Sequence, residues 1–224
     1  MAKKSTLLLL VLFLGFSYCL AAAQKTVDYP EYIIYTPSNL DPTKRHPLVV
    51  GLSPGGDAQS VINAWKGTAE EYGWVIFASK IYKNGGDMDA MLSGIANKLN
   101  EVFINFPIDK SRVIATGLSG GGMGAHAFSF LYPRLITAVV VNTGIMHEYY
   151  IGQKYRYPRE KIAVFLASPA DFRYGEMKRD RDFLEGLGWQ TKWIEFQGGH
   201  TMAPDSTYRE AAAWLTEQWA LQAP

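Results

Sequence analysis

A single cysteine, Cys19, occurs among the 224 residues, so no disulfide can form within the chain and its stability has to come from packing. Excess charge of either sign is also lacking. Lys and Arg number 22 against 21 Asp and Glu, and a net charge of +1 gives no electrostatic reason to expect nucleic acid or an anionic membrane as a partner. Charge runs, internal repeats and low-complexity tracts are absent after residue 23. His, Cys, Asp and Glu nowhere fall at metal-site spacing, and no phosphate loop G-x-x-x-x-G-K occurs, so neither metal nor cofactor is expected.

Only one long apolar run exists, Leu7–Phe16, and it lies at the start. Lys3 and Lys4 precede it and Ala21-Ala22-Ala23 follow, the three-part pattern of a secretory signal cleaved near Ala23. The run is shorter than the ~20 residues a membrane-spanning helix needs. The expectation is a signal peptide over 1–23, a single domain over 24–224, a secreted or periplasmic product, and no stable membrane association after cleavage.

Within that body, short apolar runs alternate with helical periodicity. Tyr32–Tyr35, Pro47–Leu52, Trp74–Ser79, Val113–Ala115, Thr137–Asn142, Lys161–Ala167 and Trp193–Phe196 read as strands. Helices are predicted over Ala58–Tyr72, from Asp87 as cap to before Pro107, from Gly120 to Tyr132-Pro133, over Arg173–Leu187, and from Asp205 onward. Such alternation implies right-handed crossovers, hence an α/β fold with a mostly parallel sheet covered by helices on both faces. Ligands of such sheets bind beyond the carboxyl ends of the strands.

Three of those ends carry chemistry that fits together. Gly117-Leu118-Ser119-Gly120-Gly121 follows the Val113–Ala115 strand and fits G-x-S-x-G, a sharp strand-to-helix turn that exposes a serine. Asp171 follows the Lys161–Ala167 strand, and His200 follows the last. A serine hydroxyl needs an imidazole to take its proton, and the imidazole needs a carboxylate to fix its tautomer. The amide of Gly120 at a helix start and that of Gly55, with Gly56 as the alternative, are candidates for the two oxyanion donors; Pro54 has no N–H to offer. Among other histidines, His126 follows Ser119 by about two helical turns and is expected to pack or bond along the helix and not to serve as base. His46 lies at the amino end of a strand, and His147 is a candidate to touch substrate.

The stretch Ile108–Phe128, the Pro54–Ala58 loop, the Ser168–Asp171 turn and Gly198–His200 resemble the α/β-hydrolase superfamily, and more narrowly the exported esterases grouped with poly(3-hydroxybutyrate) depolymerases and feruloyl esterases. The resemblance implies a serine esterase that needs no cofactor, with Ser119 as nucleophile, Asp171 as acid and His200 as base. It departs at Ser53-Pro54, where many relatives have His-Gly, and at Ser168, where many have glycine. Too little chain separates Asn142 from Lys161 for a large lid. Tyr149 and Tyr150 on that connection, with Phe172 and Tyr174 beside the acid, are expected to wall the substrate, which suits aryl or hydroxycinnamoyl esters of polysaccharide or small molecules. Two alternatives stand beside the esterase: an exported peptidase of the same fold, and a non-catalytic binding protein on a hydrolase scaffold.

Overall fold

Alternating apolar residues make the strands two-faced, and the two faces carry separate cores. The computed structural model describes residues 25–222; the proposed signal segment and Cys19 lie outside the described residues. The strands are β1 Lys25–Asp28, β2 Tyr32–Thr36, β3 His46–Leu52, β4 Val75–Ser79, β5 Ile108–Leu118, β6 Ala138–Asn142, β7 Ile162–Ala167 and β8 Gln190–Glu195. Between and after them run helices α1 Ala58–Tyr72, α2 Met88–Asn105, α3 Gly120–Leu131, α4 Glu148–Ile151, α5 Tyr174–Glu185 and α6 Asp205–Gln222. The eight strands form one sheet in the order β1-β2-β4-β3-β5-β6-β7-β8, antiparallel at β1/β2 and β2/β4 and parallel from there on.

Leu48, Val50 and Leu52 of β3, Val113 and Ala115 of β5, and Phe165 of β7 join the core under α2, α3 and α5. Their neighbours Val49, Ile114, Val164 and Leu166 point to the opposite core under α1 and α6, where Trp65 and Tyr208 pack 4.9 Å apart. Each fully buried side chain of this kind stabilises by roughly 1.5–3 kcal/mol. A one-residue slip of any central strand would exchange the two sets, so the register is strongly fixed.

Asp57 and Asp87 cap α1 and α2 by accepting from Ser60 N–H at 3.1 Å and Ala90 N–H at 3.0 Å. The predicted helices and strands appear within a few residues of their expected bounds, and two elements go beyond them. β1 is exposed and lacks an apolar pattern; it forms because β2 offers it an edge. The four-residue α4 is too short for periodicity and is started by His147, whose Nδ1 accepts the Tyr149 N–H.

His126 is wholly buried on α3, 6.0 Å from the Phe165 ring, and neither ring nitrogen has a partner among the described residues. It packs, one of the two roles its spacing from Ser119 implied. Burial disfavours the imidazolium and pushes its pKa down to about 3. The unfolded chain takes up that proton near 6.5 while the folded one does not, so stability is full above this pH and is lost as pH falls toward 3, by up to about 1.4 kcal/mol per pH unit. Denaturant unfolding of wild type and His126→Leu should therefore diverge below pH 6.5, the wild type losing about 2–3 kcal/mol more by about pH 4.5. Parallel curves would show that His126 is protonated in the folded protein.

Candidate active site

β5 runs through the middle of the sheet and delivers Ser119 at its carboxyl end. The serine has φ 54° and ψ −118°, a backbone conformation that costs a non-glycine residue about 1–3 kcal/mol and persists only where neighbours hold it. They do so at both peptide groups. The Ser119 N–H donates to Asn142 O at 2.9 Å, and Ser119 O accepts the Met123 N–H at 3.1 Å. The turn also presses against the end of β3. A Cβ on Gly117 would stand 2.4 Å from Leu52 O, and one on Gly121 2.2 Å from the same oxygen. The flanking glycines are thus required by backbone contact. Behind them the buried Tyr82 hydroxyl donates to Gly120 O at 2.7 Å, and desolvation lifts its pKa to about 12, so it remains a donor.

His200 Nε2 lies 2.8 Å from Ser119 Oγ, and His200 Nδ1 lies 2.7 Å from Asp171 Oδ2. The carboxylate can only accept, so the ring proton sits on Nδ1 and Nε2 is free to accept from the serine hydroxyl. Asp171 is buried and its second oxygen accepts the Arg173 N–H at 2.6 Å, which fixes the carboxylate plane. Ser168 Oγ accepts the Gly199 N–H at 2.9 Å and so joins the acid turn to the histidine loop. That bond is a physical account of a serine at the position where a glycine is common.

The residue that motif reading missed is Asn142, fully buried at the end of β6. Its carbonyl holds Ser119, while its side chain holds the histidine loop: Nδ2 donates to Thr201 O at 3.0 Å, and Oδ1 accepts from Ala203 N–H and from the Tyr208 hydroxyl, both at 2.7 Å. A signal for it existed. A polar residue that closes the otherwise apolar strand Ala-Val-Val-Val-Asn has to find partners once buried.

Solved structures share this architecture at low sequence identity. The carboxylesterase of Mesorhizobium loti superposes with a TM-score of 0.63 at 14% identity, covering 87% of this chain and 99% of that one. A fluorophosphonate-binding serine hydrolase of Staphylococcus aureus does so with 0.64 at 13%, covering 85% and 96%. The fold is that of the α/β-hydrolases. No protein-family model matches the chain. In sequence it is similar to feruloyl esterase B of Thermothelomyces thermophilus, 31% identical over 161 residues, which is 59% of this chain and 54% of that protein. The chain thus spans about half the length of this curated relative, whose name agrees with the resemblance read from the sequence.

In this chain a cavity of about 350 Å³ opens beside Ser119 and Gly120. Its apolar lining includes Tyr82, Met88, Met91, Met123 and Ile145, and its polar lining includes Lys83, Asn84, His147 and Arg173. None of the four expected wall aromatics is among the lining residues, for identifiable reasons. Tyr150 is drawn into the core, against Phe130, because its hydroxyl finds Asp89 Oδ1 at 3.0 Å. Tyr174 turns its ring edge to Trp193 at 5.4 Å and bonds Glu195. Phe172 is 71% exposed, its ring centroid 4.6 Å from that of His200, and Tyr149 is exposed against Tyr150. His147 does line the cavity, whereas His46 lies away from it, between the carbonyls of Asp41 and Gly73.

Gly120 begins α3, where its N–H has no intrahelical acceptor. Of the two glycines weighed for the second donor, Gly56 gives its N–H to Ser53 O at 3.1 Å, while Gly55 N–H has no acceptor among the described residues. Asn84 N–H pins this loop through Pro54 O at 2.8 Å. Among the described residues no grouping of His, Cys, Asp and Glu could hold a metal ion, and no helix is long and apolar enough to cross a membrane.

The two kinds of glycine should separate in stability. Gly121→Ala drives a Cβ into backbone that cannot yield cheaply and should lower the unfolding free energy by about 1–3 kcal/mol. Gly55→Ala meets nothing within 4 Å and should stay within about 0.5 kcal/mol of wild type. Equal values by denaturant titration would mean that the serine turn does not press on β3.

Proposed function

We propose that the chain is an exported serine hydrolase that cleaves carboxylic esters through an acyl-enzyme, and that aryl or hydroxycinnamoyl esters are among its substrates. The observation that carries this reading is the unbroken relay of Ser119, His200 and Asp171 at 2.8 and 2.7 Å. Export rests on the signal pattern of residues 1–23 alone.

In the first half-reaction Ser119 Oγ attacks the ester carbonyl carbon and its proton passes to His200 Nε2. Asp171 keeps the ring in the required tautomer and stabilises the imidazolium. Negative charge on the former carbonyl oxygen is met by the Gly120 and Gly55 amides, where one lost donor commonly costs about 3 kcal/mol of transition-state stabilisation. The intermediate collapses, the bond to the alcohol oxygen breaks, and His200 returns the proton to that oxygen. Water then attacks the acyl-enzyme with His200 again as base, which releases the acid and restores Ser119.

The substrate class is supported by the name of the curated relative and by the cavity itself. Methionine side chains conform to flat rings and make favourable sulfur contacts with them. Three of them face the space where an acyl group would lie.

Hydrolysis of p-nitrophenyl butyrate by wild type beside Ser119→Ala tests the reading. Wild type should turn over, and the variant should lose several orders of magnitude in kcat, on the scale of the ~10⁶ seen when the triad serine is removed from a serine protease. Equal and slow rates in two folded proteins would favour a binding protein on a hydrolase scaffold.

A further inference from the structure

We infer that the cavity selects esters that carry a second, free carboxylate, an inference that rests on the ester-hydrolase reading. The cavity's charged side chains are all of one sign. Lys83 and Arg173 line it and no Asp or Glu does. None of the salt bridges among the described residues engages Lys83. Its stem lies across the loop that carries Gly55, since a Cβ on Gly56 would come 2.9 Å from Lys83 Cε.

Arg173 is held in place and left partly free. Nη1 bonds both oxygens of Glu176, at 2.7 and 3.0 Å, and the guanidinium lies 5.2 Å from the Phe172 ring centre. Its Nε and Nη2 have no acceptor among the described residues. A planar fork fixed on one side and open on the other suits a carboxylate.

His147 adds a neutral donor to this lining. His147 Nδ1 accepts the Tyr149 N–H at 3.1 Å, so the ring proton sits on Nε2. The surrounding carboxylates are engaged elsewhere: Asp171 by His200 and the Arg173 N–H, Asp89 by the Tyr150 hydroxyl, Glu148 by Arg179, and Glu176 by Arg173 itself. A neutral aryl ester would satisfy the methionine wall and leave these donors to water. An ester with an apolar acyl part and a carboxylate on its other half would satisfy both sides.

Two isosteric pairs test this. One is O-cinnamoylglycolic acid against O-cinnamoylglycolamide, with the charge on the alcohol side. The other is the p-nitrophenyl monoester of adipic acid against that of its monoamide, with the charge on the acyl side. At low salt the anionic member of at least one pair should show about tenfold higher kcat/KM. That preference should shrink in about 0.5 M NaCl, where the Debye length is only a few ångströms. It should fall close to unity in Lys83→Gln/Arg173→Gln, whose circular dichroism spectrum and cooperative thermal unfolding report that it is folded. If the neutral members are cleaved as fast as or faster than the anionic ones in both pairs, or if the double variant keeps the preference, the inference is overturned while the ester-hydrolase reading survives. If no member of either pair is cleaved by wild type, both fall together.

Discussion

The site depends on one buried amide. Asn142 accepts the backbone N–H of a serine in a strained conformation and, through its side chain, anchors the loop that presents His200. Ser119 and His200 lie 81 residues apart in sequence, and their 2.8 Å contact is set by this residue between them. The strain at Ser119 would relax if its N–H lost that acceptor. The histidine loop contains two glycines with positive φ, Gly198 and Gly199, and has few constraints of its own. Satisfying a buried amide completely is what makes such a hub rigid, because any displacement leaves a desolvated polar atom unpaired.

Sheet register carries this precision outward. β5 and β6 pair in parallel up to Leu118 and Asn142, so the last residues before the serine turn and the hub are fixed side by side. β6 pairs with β7 up to Leu166, and β7 with β8 up to Glu195, which brings the acid turn and the histidine loop to the same edge. The apolar alternation that buries both faces is therefore also what aligns the chemistry. A site assembled from strand ends inherits the rigidity of the core.

Much of this was legible in the sequence because strands, caps and the serine turn are local. Asp87 caps the helix its position implied, and Gly117 and Gly121 meet the crowding that a sharp turn imposes. What local reading could not reach were partnerships between distant residues. Ser168 and Gly199 are joined by a hydrogen bond across 31 positions, and Asn142 and Tyr208 across 66. The cavity wall was obscured for the same reason. A tyrosine-rich connection invites an aromatic wall, but a tyrosine buries itself when its hydroxyl finds a partner, as Tyr150 does in Asp89, and flexible methionines from α2 and α3 take the space. Edge strand β1, without an apolar pattern, is defined by the neighbour it pairs with.

The central claim is that Ser119 is an activated nucleophile, and covalent labelling reads this without reference to any substrate. A fluorophosphonate reacts with a serine hydroxyl whose proton can be taken up by a neighbouring base, and intact mass followed by peptide mapping locates the adduct. The account predicts one adduct per chain, on Ser119, and none in folded His200→Ala. A folded wild-type protein that stays unlabelled, or that is labelled on another residue, would contradict it.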